Sequence, residues 1–398
     1  MELVFLLPHF ARYSVWWIVD EGSKAELSTQ EQALDAAVRE ELKRLHSRIS
    51  SRFRRPEVRD RARRYLVGLL DPVERHTGRQ MAEHMGEKTD DGVQRLLNKA
   101  RWDADAVRDD LRDYVLEHLG DASGVLVLTE IGFPKKGAKS AGVERLRNST
   151  TGRLENRQLG LFLSYASPLG WACIDRALYL PKEWAEDEAR CREAGVPEEV
   201  TFVTKDELAR KMLERAFDAS VPAAWVTGGE TYSTDKRLKH WLETRGRSYV
   251  LAEGRSSTLP RGASTLLPPA SEWIRFSSVG GAERAYEWAR GPRRHERNVG
   301  RAEWLLVCHA LGPTDEYIYH GAYGPRQTAL SGMVRVVATR WAIGEGLKRA
   351  KGEVGLDQYE VRHWDPWHRH ITLCLLAHAA LQVARVRAAS GGDRRSPA

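Results

Sequence analysis

Arginine side chains crowd one short segment in the first part of the chain. The run comprises Arg48, Arg52, Arg54, Arg55, Arg59, Arg61, Arg63 and Arg64. Basic side chains that neutralise phosphates release condensed counterions, and this release favours binding to nucleic acid. The formal net charge of +7 and the pI of about 9.2 agree with a polyanionic partner. Because a charge run is equally typical of a solvated helix face, both interpretations stay open.

A second set of polar side chains lies on a predicted helix–turn–helix. Residues 80–85 and 93–100 have helical patterns, with Gly86 as a helix stop and Thr89 as an N-cap between them. The second helix would present donors suited to base edges and phosphates, namely Gln94, Arg95, Asn98, Lys99 and Arg101. Together with Arg52, Arg54 and Arg55, these are the candidate DNA-binding residues. A generic helical hairpin has the same pattern and remains an alternative.

Nucleophilic and zinc-binding motifs are missing from the sequence. The cysteines, Cys173, Cys191, Cys308 and Cys374, are widely scattered, with no CxxC and no zinc-like spacing, so we expect buried thiols. No Ser/His/Asp or Cys/His spacing singles out a nucleophile, and no glycine pair has the pattern of a phosphate loop.

The elements that would position a site change character along the chain. Helical periodicity fills residues 31–120, whereas short apolar runs at 125–128, 160–166 and 171–179 predict three strands in meander order. A helix at 205–218, a strand at 223–227, a helix at 238–245 and a strand at 248–252 follow. This order predicts an α/β fold with a ribonuclease H-like mixed sheet. Two more helices are expected, at 334–351 and 367–389.

Composition and these patterns give a domain organisation. We expect an N-terminal extension (1–30), a helical domain that contacts DNA (31–120), the first part of the core (121–252), a partly β insertion (253–324), the C-terminal core helices (325–389) and a disordered tail (390–398). No run approaches the roughly 18 apolar residues of a membrane helix, and mean hydropathy is −0.51. The start lacks the basic region of a secretory signal, so we expect a cytoplasmic protein without membrane contact.

Several linked segments resemble one protein family. They are residues 132–140, 152–156, 164–168, 174–181, 221–226, 340–343 and 350–359. Together they are similar to the DDE transposases of bacterial insertion sequences, in particular the insertion sequence 701 group. The resemblance extends over roughly residues 39 to 381, including the helical region.

That resemblance implies a metal site. In the family, two aspartates and a glutamate on a ribonuclease H-like sheet hold two divalent ions for strand cleavage and transfer. Mg²⁺ requires hard oxygen ligands, and paired ions lie about 3.5–4 Å apart, which is why carboxylates are needed.

The chain departs from the family pattern at all three acids. Thr129 stands at the first aspartate position, before Glu130, and Gly229 stands at the second, before Glu230. The glutamate position lies four residues after Arg340 and seven before Lys351, and both counts lead to Gly344. No catalytic acid is therefore intact, although Arg340, Lys351 and Tyr359 are kept.

Acids one position further along are candidates for replacement ligands. Glu130, Glu230 and Glu345 each follow one of the altered positions. However, successive side chains of a strand point to opposite faces, and one residue of a helix rotates by about 100°. The family pattern itself carries acids at these neighbouring places. We therefore expect no relocated metal site, and an active transposase with displaced acids is kept as an alternative.

Without opposing acids, the cleft should be positively charged and suited to a phosphate or carboxylate. The cleft candidates are Glu130, Lys135, Lys136, Glu230, Tyr232, Arg340, Glu345 and Lys351. If the cleft has been reused for a small molecule, the candidate polar groups are Thr129, Tyr232, Cys173, His320, His363, His368 and His370. A lone histidine or tyrosine is more often an ordinary packed residue.

The sequence thus favours an inactive transposase derivative that still binds DNA, either domesticated or a relic. The alternatives are a scaffold reused as a small-molecule-binding or biosynthetic enzyme, and an active transposase with displaced acids. DNA is the expected partner, while a homodimer and a small-molecule ligand stay open. No metal or other cofactor is expected, and Mg²⁺ would be needed only if the transposase chemistry survives.

Overall fold

The computed structural model describes residues 3–4, 24–147, 152–234, 236–259, 263–277, 285–294, 300–311 and 316–392. The helices are α1 (Lys24–Ile49), α2 (Pro56–Gly68), α3 (Gly78–His84), α4 (Asp91–Gln94), α5 (Ala104–Leu119), α6 (Lys182–Ala185), α7 (Glu188–Glu193), α8 (Lys205–Asp218), α9 (Thr231–Thr234), α10 (Lys236–Thr244), α11 (Ala263–Leu266), α12 (Leu330–Glu353) and α13 (Trp364–Gly392). The strands are β1 (Leu3–Val4), β2 (Val125–Pro134), β3 (Glu144–Arg147), β4 (Leu154–Ser167), β5 (Gly170–Leu178), β6 (Trp225–Gly228), β7 (Ser248–Ser256), β8 (Ile274–Ser277), β9 (Tyr286–Arg294), β10 (Arg301–Ala310) and β11 (Glu316–Pro325).

The strands described form one mixed sheet in the order β1-β8-β9-β10-β11-β7-β6-β2-β4-β3, with β5 also paired to β4. The strands β5, β4, β2, β6 and β7 are neighbours at one end of this sheet. The first three of these are antiparallel, whereas β2, β6 and β7 run parallel to one another. This arrangement confirms the predicted α/β fold with a ribonuclease H-like sheet and an N-terminal helical region.

Helices cover both faces of the central strands. On β5, Asp175 bonds to Arg215 of α8, whereas the next residue, Arg176, bonds to Thr372 of α13. Because these neighbouring residues point to opposite faces, α8 and α13 lie on opposite sides of the sheet. Helix α12 packs against β2, β6 and β7, and the N-terminal helices α1, α2 and α5 pack around α13.

Helix α13 differs from one expectation. Its residues Trp364–Ala389 are long and apolar enough to cross a membrane, contrary to the prediction that no segment comes near this length. The apolar window is 72% buried inside the protein. Its place between the sheet and the N-terminal helices accounts for its apolar character, because both of its sides face a protein core.

The region after residue 253 is continuous with the central sheet. Strand β11 pairs with β7, and β10, β9 and β8 extend the sheet from there. Leu3 and Val4, expected in an extension outside the fold, pair in parallel with Phe276 and Ser277 of β8. Helix α13 reaches Gly392, so the tail expected from residue 390 begins inside a helix, and 393–398 lie outside the described residues.

The predicted helix–turn–helix is present, and both of its helices begin two residues earlier than predicted. Helix α3 begins after Thr77, whose side chain accepts a bond from the Gln80 amide, and Gly86 follows its end with a φ of 73°. Thr89 does not cap the second helix, because α4 begins after Asp90 and the Thr89 hydroxyl bonds to the Asp91 carboxylate. A π-helical turn over Arg95–Lys99 continues α4.

Candidate functional site

Two of the three positions predicted to have lost an acid lie side by side at one edge of the sheet. Strands β2 and β6 are parallel and in register up to the pair Leu128 and Gly228. Thr129 is the next residue of β2 and Gly229 directly follows the end of β6, and both are half-buried. The carboxyl ends of adjacent parallel strands meet at one edge, where ligand sites of open α/β sheets commonly lie.

The third position, Gly344, lies on the helix that covers these strands. Helix α12 contacts both β2 and β6, and Arg340 lies one turn before Gly344 on the same side of the helix. Burial, and then the nearby Arg255 guanidinium, lower the pKa of Arg340 to about 10, while the Glu230 carboxylate opposes this shift. Arg340 is therefore close to the residue that directly follows Gly229, and the three positions belong to one region.

The glycines leave space at this region. A Cβ atom built on Gly229 or on Gly344 meets no atom within 4 Å, and neither residue has a positive φ. Gly228 is different, because a Cβ there would lie 2.7 Å from Cδ2 of Tyr232. Tyr232 thus needs glycine at 228 for its close packing, whereas the backbone at 229 and 344 would accept a side chain.

Glu130 faces away from Thr129. Its Oε2 atom lies 3.0 Å from Nζ of Lys205, at the start of α8. Phe133, four residues after Thr129 and on the same face of β2, instead contacts Trp367 of α13, with ring centroids 6.3 Å apart. Glu130 is therefore a partner of Lys205 on the opposite face of the sheet.

Glu230 and Glu345 each have a neighbouring cation. Oε1 of Glu230 is 3.7 Å from Nε of Arg255, and Glu345 is 2.7 Å from Lys348 on the same helix. In the ranges that the structure describes, no group of three or more His, Cys, Asp or Glu could hold a metal ion. A threonine and two glycines supply no carboxylate, so the residues at the three positions do not fit a pair of Mg²⁺ ions.

Cationic side chains lie near the end of β2. Lys135 Nζ is 3.3 Å from the centroid of the Tyr359 ring, and burial lowers the pKa of Lys135 to about 7, with Asp357 opposing the shift. Nζ of Lys351 lies 3.7 Å from the Asp357 carboxylate, and Lys136 is exposed. The Asp357 carboxylate therefore lies near two of the four predicted cleft cations, Lys135 and Lys351.

Three of the seven polar groups considered for a reused cleft have hydrogen-bonding partners elsewhere. Cys173 contacts the Ser164 hydroxyl at 3.3 Å, His370 contacts the Tyr65 hydroxyl at 2.9 Å, and His368 bonds to the Trp364 carbonyl at 3.0 Å. Tyr232 is buried against Gly228, His320 is buried beside Trp288, and His363 is exposed. Tyr232 and His320 do lie by this edge, because Tyr232 packs on the residue before Gly229, and burial and then the Arg340 guanidinium lower the pKa of His320 well below its usual value.

The arginine run is largely ion-paired. Arg52 makes two bonds of 2.7 Å to Asp110, while Arg54 and Arg55 are exposed. Other members pair with acids as follows: Arg48 with Glu117, Arg61 with Glu87, and both Arg63 and Arg64 with Asp60. The acids reduce the positive potential that the sequence alone would indicate.

The candidate DNA-reading side chains divide into two groups. Gln94 and Asn98 are half-buried and bond to each other, with 2.8 Å between Nδ2 of Asn98 and Oε1 of Gln94. Arg95, Lys99 and Arg101 are exposed. Of these five residues, the three exposed cations are the ones that a phosphate backbone could reach without breaking the bond between Gln94 and Asn98.

Three residues of this region were not predicted from the sequence: Lys205, Arg255 and Asp357. Each provides a counter-charge to a predicted residue, namely Glu130, Glu230 and Lys351. Asp357 lies within one of the resembling segments, which is the one signal that could have indicated it. Lys205 and Arg255 come from distant parts of the chain.

A model of the protein family described as DDE superfamily endonuclease matches residues 48–273. The matched range is more than half of the chain, and it includes Thr129 and Gly229 but ends before Gly344. No curated protein matches the chain.

Proposed function

The chain belongs to the DDE superfamily endonucleases, and from that premise we propose that it is an insertion sequence 701-type transposase derivative that binds DNA without cutting it. One observation carries the proposal. A threonine and two glycines lie where β2, β6 and α12 come together, and the resemblance assigns the family's acids to these three positions.

Metal-dependent cleavage requires carboxylates at that edge. Two-metal catalysis depends on ligands that fix both ions and cancel part of their charge. The nearest acids are engaged: Glu130 with Lys205 on the other face, Glu230 with Arg255, and Glu345 with Lys348. Moving any of them into the cleft would break an existing ion pair.

DNA binding rests on exposed basic side chains in the helical region. Arg54, Arg95, Lys99 and Arg101 are exposed, and the whole chain has a formal net charge of +7. Such side chains are suited to phosphates and would give affinity with little dependence on base sequence.

A gel-shift series with duplex DNA over a range of salt concentrations tests the proposal. We expect binding at low salt that weakens linearly on a log–log plot. Replacing Arg95, Lys99 and Arg101 by Gln should reduce the slope by about 0.9 for each lost phosphate contact. Arg63→Gln is the matched control, because Arg63 already pairs with Asp60, and it should change the slope little.

Two results would contradict the proposal. Absence of duplex binding at low salt would remove the DNA-binding part. Nicking of DNA that depends on Mg²⁺ or Mn²⁺, and that is lost when Glu130, Glu230 and Glu345 are replaced by Gln, would instead support an active transposase with displaced acids.

A further inference from the structure

A cavity of about 560 Å³ lies apart from the edge at Thr129. Its lining comes from α5, β5, α8, α13 and the segment before α8, and none of the three altered positions takes part. Small-molecule sites usually have volumes of about 300–1,000 Å³ and a few polar groups among apolar walls. The size of this cavity therefore suits a small organic molecule.

Arg176 provides the most deeply buried charge of the cavity. Its side chain is only 1% exposed. Nε donates to the Thr372 hydroxyl at 2.9 Å and Nη1 donates to Asp105 at 2.6 Å, but Nη2 is buried and has no hydrogen-bond partner among the described residues. A buried donor without a partner is costly, and an incoming acceptor would recover that cost.

The ion pairs around Arg176 leave this side of the cavity, which we call its floor, positively charged. Arg108 and Arg215 both pair with Asp175, at 3.3 and 2.8 Å, and Arg176 pairs with Asp105. Of the three carboxylates that these guanidinium groups contact, only Asp175 is buried, whereas Asp105 and Asp109 are 66% and 41% exposed. An anionic group is the ligand that would complete the pairing.

His368 adds no positive charge to this arrangement. Burial, and then the Arg176 guanidinium, lower its pKa to about 3. The imidazole is therefore neutral near pH 7, and its Nδ1–H donates to the Trp364 carbonyl. In this tautomer the Nε2 atom is an acceptor.

The walls and the entrance restrict which anions fit. Trp102, Leu178, Leu180 and Trp364 supply apolar and aromatic surface. Exposed acids stand around the opening, namely Asp103, Asp105, Glu199 and Asp365. These acids repel a polyanion such as DNA, whereas a molecule with one negative charge and an apolar body satisfies both the floor and the walls.

We propose that this cavity binds a small organic monocarboxylate, with the carboxylate on Arg176 and the apolar body against Trp102 and Leu180. A guanidinium matches the planar geometry of a carboxylate. The site is separate from the DNA-binding function proposed above, so each can fail without the other.

Calorimetry and saturation-transfer NMR on the full chain test this site. The probes are hexanoate and phenylacetate, with hexanamide and phenylacetamide as neutral counterparts and inorganic phosphate as a compact anion. We expect saturable one-to-one binding of the carboxylates and weaker binding of the amides and of phosphate. Arg176→Met should weaken carboxylate binding by about tenfold or more, since a charge-assisted hydrogen bond is lost.

If the Arg176→Met variant does not fold, two further variants still test the site. Val203→Trp places a bulky side chain in the cavity from the segment before α8 and should abolish binding. Arg192→Met, on the exposed side of α7, is the matched control and should leave binding unchanged. Equal affinity for carboxylates and amides, no saturable binding of either carboxylate, or binding that survives Val203→Trp would overturn the proposal.

Discussion

Glycine at positions 229 and 344 removes more than charge. The resemblance to the insertion sequence 701 group assigns carboxylates to both positions, and a change to alanine would have removed the ligand while keeping the Cβ atom. Neither backbone requires glycine, because φ is not positive and a Cβ would meet no atom within 4 Å. Gly344 in the interior of α12 is therefore a cost to stability without a packing benefit.

Replacing Gly344 by Ala should stabilise the protein by up to about 1 kcal/mol, because alanine has the higher helix propensity and the space is open. The measurement is the free energy of unfolding from urea titration at an unchanged m-value. Gly346→Ala is the matched control on the same helix. A Cβ there would lie 2.3 Å from Cζ2 of Trp171, so overpacking should destabilise by about 1–3 kcal/mol.

The opposite order of the two variants would contradict this reasoning. Destabilisation by Gly344→Ala would mean that another part of the protein packs directly against the backbone at residue 344, where the structure has open space.

At the scale of elements, strand β2 gives two neighbouring residues opposite roles. Thr129 lies at the edge shared with β6, and Glu130 lies under α8 with Lys205. Both Glu130 and Lys205 are mostly buried, with side-chain exposures of 20% and 29%. We therefore interpret Glu130 as a structural link between the sheet and α8.

A double-mutant cycle tests that link. Lys205→Met should cost about 1–3 kcal/mol, because it leaves a partly buried carboxylate without its cation. Adding Glu130→Gln should recover part of this cost, since the uncompensated charge is removed. The readout is again the free energy of unfolding. Strictly additive effects of the two substitutions would show that the pair does not act as a unit.

The sequence predicted the central strands and helices because their patterns are local. The apolar run at 125–128 marks β2, but the strand continues to Pro134 because Gly132 and Phe133 pair with Leu159 and Gln158. Strand β3 was not predicted, since its four residues, Glu144 to Arg147, alternate little in hydrophobicity and gain their place from pairing with β4.

Long-range pairing could not be predicted in the same way. The strands after residue 253 have aromatic, β-prone segments, but nothing in a single sequence says that β11 joins β7. The same holds for the ion pairs of the site. Glu130 and Lys205 are separated by 75 residues, so only the fold brings them together.

At the scale of the whole molecule, one continuous sheet supports the framework of a DDE superfamily endonuclease, and the proposed loss of acids concerns one region of that sheet. The central strand order, the parallel pair β2 and β6 and the covering helix α12 place the three altered positions in one region. Buried polar side chains of the framework satisfy one another's hydrogen bonds. Tyr359, for example, donates to Gln158 and accepts from Trp367. Such consistency is typical of a chain that still has to fold.

The measurement that tests the central claim most directly is Mn²⁺ binding to the full chain, followed by electron paramagnetic resonance. Mn²⁺ prefers the same oxygen ligands as Mg²⁺ and is observable. We expect no tight binding by the natural chain. The triple variant Thr129→Asp, Gly229→Asp, Gly344→Glu should bind Mn²⁺, because the backbone has room for side chains at both glycines. Tight binding of two coupled Mn²⁺ ions by the natural chain would contradict the account.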